Sequence, residues 1–238
     1  MTGIGYHIVD KPSEGLPGSL QTNPRLSRWV RFRPDGTVEL SPGKVEIGQG
    51  ILTALAQIAA DELDVDLARV RMVAASTAMS PNEGVTSGSL SVEQSGSALR
   101  YACAQARAIY LGAAAQRLGV PAESLEVQDG TIAGPGNLRT SYWELADEAL
   151  LARDATPGAT PKAASARRLA GTAAGRLDIP EKVFGKPRFI HDVALTGMLQ
   201  GRVLRPPSPT ARLAALDETA ARAVPGVVAV MHDGSFVG

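Results

Sequence analysis

The sequence predicts an α+β fold in two parts, a segment with a sheet and long helices followed by a small α/β segment. Three observations support this prediction. The dipeptide Asp35-Gly36, a hairpin turn signal, separates two strand-like runs, and Asp129-Gly130 does the same further along the chain. After Gly50, apolar residues recur at helical spacing. Hydrophobic residues make up 44% of the 238 residues, which is enough for a substantial core.

The first segment, residues 28–151, alternates predicted strands with helices. Strands are expected from Trp29 to Pro34, from Thr37 to Ser41 and from Val70 to Ala74. A helix is expected after Gly50, and a longer one from Val92 to Leu118. Their buried stripes are predicted as Ile51, Leu55, Ile58, Ala59 and Leu63 in the first helix and Leu99, Ala102, Ala106, Ile109 and Ala113 in the second. Cys103 lies beside the second stripe and is expected to be a small buried hydrophobe.

The remaining chain divides into three regions. Residues 1–27 predict an extended arm that gains order against a neighbour, with a disordered tail as the open alternative. Residues 125–133 predict a second hairpin, and Ser141 is expected to cap a short helix carrying Trp143, Leu145 and Leu150. Residues 152–166 predict an interdomain linker. Within residues 167–238, strands are expected at 189–193, 198–204 and 227–231, with a helix at 217–223.

Charge and metal-ligand content exclude several classes of function. Lys+Arg and Asp+Glu are 24 each, so nothing indicates a nucleic-acid partner. One cysteine excludes an internal disulfide and a cysteine-ligated cluster within this chain, and three scattered histidines do not form a metal site of usual spacing. No apolar run is long enough to predict a membrane span.

The stretch from Gly43 to Gly50 carries the chemistry of the first segment. It ends a predicted strand and opens a helix, where free backbone N–H groups and the helix dipole favour an anion. A Gly-x-Gly at such a junction is often only a turn. A second segment, residues 75–91, is a long polar loop rich in hydroxyl groups and glycine, and loops of this length within a domain are often functional.

Two separated blocks resemble one protein family. The first block holds Gly43-Lys-Val-Glu-Ile-Gly-Gln-Gly50 and Thr86-Ser-Gly-Ser-Leu-Ser91. The second holds Leu177-Asp-Ile-Pro-Glu-Lys-Val-Phe-Gly185, Phe189-Ile-His-Asp192, residues 197–207 and residues 225–230. Together they resemble the N-terminal portion of the molybdopterin-binding large (beta) subunit of the xanthine dehydrogenase/aldehyde oxidase family. The isoquinoline 1-oxidoreductase and nicotinate dehydrogenase type is the most similar.

The resemblance implies a set of cofactor-binding residues. They would contact molybdopterin carrying molybdenum, usually as the cytosine dinucleotide in bacteria, and they are Ile47, Gly48, Gln49, Gly50, Gly88, Ser89, Leu90 and Ser91. Many relatives have an arginine where this chain has Leu90. The second block implies a hammerhead-like segment in which Asp192, Arg202 and Arg205 serve folding and interfaces.

The same resemblance implies that this chain is not active alone. The family uses a glutamate base that the matching portion does not contain, and Glu46 and Glu62 are poor substitutes for it. We therefore expect a second molybdopterin-binding chain that carries the glutamate and shares the cofactor. An iron–sulfur subunit would hold the [2Fe-2S] clusters, and an FAD subunit or a cytochrome would accept electrons. The substrate would be a small molecule, an N-heteroaromatic compound or an aldehyde hydroxylated with water. The expected location is cytoplasmic, or periplasmic by co-export with a partner.

Two alternatives belong to other functional classes. A non-catalytic structural or assembly subunit, related but without cofactor, is consistent with Leu90 and with the absent glutamate. A free-standing dinucleotide-binding module is disfavoured. No G-x-G-x-x-G follows the strand, and no βαβ unit with a ribose-binding acid at the usual distance is evident.

Overall fold

The computed structural model describes residues 15–186 and 189–231, and the chain divides into two units between residues 188 and 189. The first unit contains a three-stranded sheet, a second three-stranded sheet and two long helices. Its core is continuous from Leu16 to Ala155. The predicted α+β class is confirmed.

The first sheet begins with the predicted hairpin. Strands β1 (Val30–Phe32) and β2 (Val38–Leu40) pair antiparallel, and Asp35 Oδ1 accepts a hydrogen bond from the Thr37 amide at 3.1 Å in the turn between them. Gly36 adopts a φ of 85°, which favours glycine. The hairpin prediction is therefore confirmed in both its strands and its turn.

The third strand turns this hairpin into a mixed sheet. Strand β3 (Val70–Met72) pairs parallel with β2, and helix α1 (Ile51–Leu63) connects the two. The sequence predicted each element but not this βαβ arrangement. Residues 73–81, which follow β3, contain no acidic side chain. The ribose-binding pattern of dinucleotide-binding domains is therefore still missing from this βαβ unit.

Helix α2 (Ser97–Leu118) packs against α1 and starts from a π-helical turn at Ser91–Gly96. A Cβ on Gly96 would lie 3.1 Å from Ile58 Cδ1, so the small residue allows this close approach. Leu99, Ala102 and Ala106 are fully buried as predicted. In the C-terminal half of α2, Tyr110 and Ala114 are buried, while the predicted Ile109 packs partly buried against the core and Ala113 is half-buried. In the part of the chain that the structure describes, no helix is both long and apolar enough to cross a membrane.

The second sheet is antiparallel and contains one unpredicted strand. Strands β4 (Glu126–Gln128), β5 (Thr131–Ala133) and β6 (Arg139–Ser141) follow in order. The predicted short helix after Ser141 is wrong, because the chain forms turns there, but Ser141 Oγ does accept a capping hydrogen bond from the Glu144 amide at 3.1 Å. Tyr142 and Trp143 both pack on Phe32, with ring centroids 4.5 and 6.0 Å away. This aromatic packing ties the turn after β6 to strand β1.

Residues 15–27 belong to the core, which corrects the prediction of an extended arm for this part. Leu16, Leu20 and Leu26 are at most 1% exposed. A Cβ on Gly18 would lie 2.2 Å from the Gln94 carbonyl oxygen, which shows how closely this stretch packs on the π-helical turn. The remainder of the predicted arm, residues 1–14, lies outside the described residues.

The first unit carries a short helix, α3 (Ile179–Val183), near its C-terminal end. The second unit contains little regular structure over residues 189–231. Helix α4 (Thr219–Arg222) confirms the centre of the predicted helix at 217–223. The strands predicted at 189–193, 198–204 and 227–231 are wrong, because the described residues of the second unit form no strand. The backbone hydrogen bonds of this unit among the described residues are local ones, such as Asp192 N–H to the Phe189 carbonyl oxygen and Val227 N–H to the Val224 carbonyl oxygen, which form turns and not a sheet.

Candidate functional site

The two predicted motif segments leave the first sheet at the same edge. Strands β2 and β3 are parallel neighbours, with Leu40 opposite Met72. The carboxyl ends of parallel strands lie side by side, and ligands of open α/β sheets bind there. Residues 41–50 follow β2 and residues 73–91 follow β3. The topology therefore brings together two segments that are about forty residues apart in the sequence.

Lys44 joins the two segments through its side chain. Its Nζ donates hydrogen bonds to the carbonyl oxygens of Glu83 at 2.6 Å and Val85 at 2.8 Å, and the residue is 2% exposed. The amide of Val45 also donates to Thr86 Oγ1 at 3.0 Å. A buried ammonium group is tolerated when its donors are paired, so Lys44 fixes the distance between the segments. Nothing in the sequence pattern distinguished Lys44 from its neighbours.

Glu83 closes the same junction from the opposite segment. Its Oε2 accepts hydrogen bonds from the Gly43 amide at 2.7 Å and from Ser95 Oγ at 2.8 Å. A Cβ on Gly43 would lie 2.2 Å from the Pro81 carbonyl oxygen. Only glycine therefore fits at position 43 while the two segments keep this contact.

The Ile47–Gly50 turn is exposed and bonded to itself. Gln49 Oε1 accepts from the Ile47 amide at 2.6 Å, and Gln49 Nε2 donates to the Val45 carbonyl oxygen at 2.9 Å. Gly48 and Gly50 have φ values of 106° and 82°, which side-chain-bearing residues rarely adopt. Ile47 is 70% exposed, so this turn presents an apolar side chain outward.

The start of helix α1 is occupied by the carboxylate of Glu46, which corrects the expectation of free N–H groups there. Glu46 Oε1 accepts from the amides of Gly48 at 2.8 Å and Gly50 at 2.9 Å, and Oε2 accepts from Leu52 at 3.3 Å. Burial opposes ionisation of this side chain, which is 6% exposed. The three amide hydrogen bonds outweigh burial and hold the pKa of the Glu46 carboxyl below its ordinary value.

Arg176 covers this carboxylate and the turn beside it. Its guanidinium donates to the Gly48 carbonyl oxygen at 2.8 Å and lies 3.4 Å from Glu46 Oε1. Asp178 binds the same guanidinium in a two-point contact, at 3.0 and 2.7 Å. The Arg176 guanidinium holds the pKa of Asp178 far below its usual range, although Asp178 is only 1% exposed. Neither residue was predicted to lie at the motif.

The polar face of α1 holds the chain segment that carries Arg176. Asp61 accepts from the amides of Arg168, Leu169 and Ala170 at 2.8, 2.8 and 2.7 Å. Gln57 Nε2 donates to the Leu169 carbonyl oxygen at 2.7 Å. Residues 167–186 therefore belong to the first unit, although they were assigned to the second segment from the sequence. The domain boundaries themselves remain predictions.

The predicted linker, residues 152–166, is also held against α1. The Lys162 amide donates to both carboxylate oxygens of Glu62, at 2.9 and 3.2 Å, and Lys162 Nζ pairs with Asp64. Glu62 is 1% exposed, and burial raises its pKa. Because it is enclosed and committed to a backbone amide, its position is consistent with the expectation that it is a poor catalytic base.

The second motif segment ends in two residues of left-handed conformation. Gly88 and Ser89 have φ values of 67° and 57°, and both are exposed. Leu90 follows, and Ser91 begins the π-helical turn. A Cβ on Gly88 would make only ordinary van der Waals contact with the Leu90 side chain, at 3.5 Å, so the space beside Gly88 is otherwise open. No group of three or more potential ligand side chains that could hold a metal occurs among the described residues.

Comparison with known proteins identifies the family. A family model described as "Molybdopterin cofactor-binding domain" matches residues 1–175. The chain belongs to this family. It is 39% identical to the nicotinate dehydrogenase B subunit of Pseudomonas putida over 221 residues, which is 90% of this chain and 19% of that protein. It is 32% identical to the isoquinoline 1-oxidoreductase beta subunit of Brevundimonas diminuta, over 95% of this chain and 34% of that protein.

A third relative is named for a different activity. The membrane-bound aldehyde dehydrogenase (pyrroloquinoline-quinone) of Gluconacetobacter polyoxogenes is 32% identical over 90% of this chain and 28% of that protein. This molybdopterin-binding chain therefore spans between a fifth and about a third of the curated relatives it matches. The predicted family is confirmed, while the eight predicted cofactor-binding residues remain predictions.

Proposed function

We propose that this chain is the cofactor-binding component of a heteromeric molybdenum hydroxylase. The observation that supports this most is the junction of the two motif segments in a chain of the molybdopterin-binding family. The junction is made by Lys44, Glu83 and the Val45–Thr86 hydrogen bond. It holds the Ile47–Gly50 turn and the Gly88–Ser91 stretch at one edge of the sheet, where ligands of such sheets bind.

The residues at this edge fit a flat, polar, heterocyclic cofactor. Gly48 and Gly88 lack side chains, and a Cβ on Gly48 would meet nothing within 4 Å. The hydroxyls of Ser89 and Ser91 can act as both donors and acceptors. The Gln49 side-chain amide is bonded within the turn, so it would exchange those hydrogen bonds for bonds to the cofactor. When bound, molybdopterin would supply the redox chemistry of hydroxylation with water. This chain's residues would hold and orient the cofactor and limit access of bulky groups.

We propose that further chains complete the enzyme. We propose a second molybdopterin-binding chain that supplies the catalytic glutamate, because Glu46 and Glu62 are both engaged with backbone amides. We also propose a [2Fe-2S] subunit as electron acceptor, with an FAD subunit or a cytochrome beyond it. Two of the relatives are named as subunits of their enzymes, which supports a complex. The proposed substrate class is an N-heteroaromatic compound or an aldehyde, and the proposed location is cytoplasmic or periplasmic by co-export.

A second candidate is a structural or assembly subunit without cofactor. The Glu46 carboxylate favours it, because the predicted anion site at α1 is already filled by the chain itself. Leu90 is consistent with it as well, since an uncharged residue cannot pair with a phosphate.

The two candidates are separated by the composition of the complex that contains this chain. The complex is purified by a tag on this chain, and its subunits, molybdenum and pterin are measured by native and inductively coupled plasma mass spectrometry. The proposed function predicts molybdenum and a pterin together with a glutamate-bearing chain and an iron–sulfur subunit. An intact, active complex without molybdenum would rule the proposed function out.

A further inference from the structure

A polar cleft lies beside the π-helical turn that precedes α2. Its volume is about 550 Å³, and neither the Ile47–Gly50 turn nor the Gly88–Ser91 stretch lines it. Both ionisable side chains that line it are carboxylates, those of Glu83 and Glu93. Hydroxyl and amide side chains complete most of the lining, and they belong to Ser19, Gln21, Thr22, Asn82, Gln94 and Ser97. The local charge therefore favours a cation in this cleft.

Glu83 lines the cleft with a carboxylate that is only half used. The residue is 8% exposed, and its Oε2 accepts hydrogen bonds from the Gly43 amide and from Ser95 Oγ. Its Oε1 is buried too, but none of the described residues donates a hydrogen bond to it. A buried carboxylate oxygen without a donor costs free energy, so a donor that enters the cleft and reaches Oε1 is stabilised there.

The acceptors of the cleft favour a guanidinium group over other cations. They come from three separate stretches of the chain, residues 19–22, 82–83 and 93–97. An ammonium group is a compact point charge, whereas a guanidinium has five N–H donors in a planar fork and can bond several acceptors at once. A metal ion is disfavoured, because the described residues contain no group of three or more potential metal ligands.

The openness of the cleft favours a protein side chain over a free small molecule. Gln21, Thr22, Asn82 and Glu93 are exposed, and Pro17 is the largest apolar residue in the lining. Sites for small molecules enclose most of the ligand, chiefly with apolar walls. A side chain that projects from a partner is held by the rest of the partner's surface, so a polar recess for its charged end is sufficient.

We propose that this cleft receives an arginine side chain of a partner chain. The guanidinium donates to Glu83 Oε1 and pairs with the Glu93 carboxylate. Glu83 then has two functions, because its Oε2 holds the junction of the motif segments while its Oε1 binds the partner. The inference goes beyond the proposed function, since it requires a partner chain but no cofactor.

The first test uses the full chain and two blocked amino acids as probes. Acetyl-arginine amide and acetyl-citrulline amide, which has a similar shape without the charge, are titrated into the chain. Binding is followed by the ¹⁵N–¹H shifts of the Gly43 amide, which bonds Glu83, and of the Ser97 amide, which belongs to the lining. We expect the arginine probe to bind at least about tenfold more tightly than the citrulline probe. Equal affinities, or no shift of either amide, would overturn the inference.

Glu83→Gln tests the carboxylate oxygen itself. The glutamine oxygen can still accept from Gly43 and Ser95, whereas its NH₂ group replaces the free acceptor. We expect this variant to bind the arginine probe about tenfold more weakly, and the control Glu126→Gln, an exposed position on β4, to bind it as the wild type does. Undiminished binding by folded Glu83→Gln would refute the assignment. If that variant does not fold, Glu93→Gln decides, with an expected weakening of about two- to fivefold.

Thiol labelling tests whether a partner chain supplies the guanidinium. Cys103 is fully buried, so a cysteine introduced by Gln21→Cys reports access to the cleft. We expect the labelling of this variant to be at least about tenfold slower in the purified complex than in the chain alone. Slower labelling of the chain alone when the arginine probe is added is the control that the reagent reports the cleft. Equal rates in the chain and in the complex would overturn the docking of a partner.

Failure of the proposed function is recognised separately, from the pterin and molybdenum content of the complex. A complex that lacks both but protects Gln21→Cys refutes the proposed function and supports this inference. A complex that contains both and leaves the cleft accessible refutes only this inference.

Discussion

Replacement of Asp61 should have the largest effect on stability of any single polar change at α1. This side chain is 5% exposed, and its carboxylate accepts hydrogen bonds from three backbone amides at 2.7–2.8 Å. A hydrogen bond to a charged group contributes ~1.5–3 kcal/mol, and the three are not additive. Asp61→Ala leaves three amides without this acceptor, so we expect a loss of about 3–5 kcal/mol in the free energy of unfolding.

Asp61→Asn should be intermediate because of the geometry. One oxygen, Oδ1, accepts from both Arg168 and Leu169, whereas Oδ2 accepts from Ala170. An asparagine can keep the first pair but turns an amide donor toward the Ala170 N–H. We therefore expect a loss of about 1–3 kcal/mol for Asn.

Urea unfolding followed by tryptophan fluorescence measures these differences in the free energy of unfolding. In thermal unfolding, the melting temperature should fall by about 6–20 °C for Asp61→Ala. Asp66→Asn is the matched control, because Asp66 is exposed and caps a short turn through one amide, that of Ala68. Asparagine caps as well as aspartate, so the control should change stability by less than about 0.5 kcal/mol. The reasoning is refuted if Asp61→Ala loses no more stability than the control.

Three further predictions concern the same unit. Gly43→Ala should lower the free energy of unfolding in urea by about 1–3 kcal/mol, because its Cβ would lie 2.2 Å from the Pro81 carbonyl oxygen. The control Gly112→Ala, where a Cβ meets nothing within 4 Å, should be neutral or stabilising. Equal losses of stability in the two variants would contradict the close approach of Gly43 to Pro81. The folded chain should not react with a thiol reagent such as DTNB, because Cys103 is fully buried and burial raises the pKa of its thiol. Rapid labelling of Cys103 without unfolding would disprove this prediction. The pKa values of Glu46 and Asp61 are lowered from 4.5 and 3.8, so their stabilisation is present above those values and is lost as the pH falls through the folded pKa values. Unfolding free energy should therefore decline below about pH 4.5, and a flat profile down to pH 3 would contradict the lowered values.

The sequence predicted the elements that depend on local pattern. Asp35-Gly36 specified the first hairpin, and the apolar spacing after Gly50 specified α1. Both motif segments were identified from glycine and hydroxyl content. Their contact was not derivable from these patterns, because it depends on the parallel pairing of β2 with β3 and on the buried Lys44.

The errors share one physical cause, which is tertiary packing that local pattern does not encode. Asp61 and Glu62 are charged, so a helical pattern assigns them to solvent, yet they bind the backbone of residues 162–170. Glu46 was recognised as a neighbour of the motif, but its carboxylate turns back to cap α1. The exposed apolar runs of residues 189–231 fit strands by composition, but the described residues of this unit form turns and one short helix instead of a sheet.

The central claim is that the Ile47–Gly50 and Gly88–Ser91 segments bind molybdopterin, and cofactor content measures it most directly. Molybdenum and pterin per chain are determined in the tagged complex for the wild type, Gly88→Arg and Gly136→Arg. The two glycines are exposed and have φ values of 67° and 65°, so both substitutions carry a similar strain of about 1–2 kcal/mol. Gly136 lies in the turn between β5 and β6.

We predict that the Gly88→Arg complex assembles but loses most of its molybdenum and pterin, whereas the Gly136→Arg complex keeps both. An assembled Gly88→Arg complex with the full cofactor content of the wild type would contradict the claim.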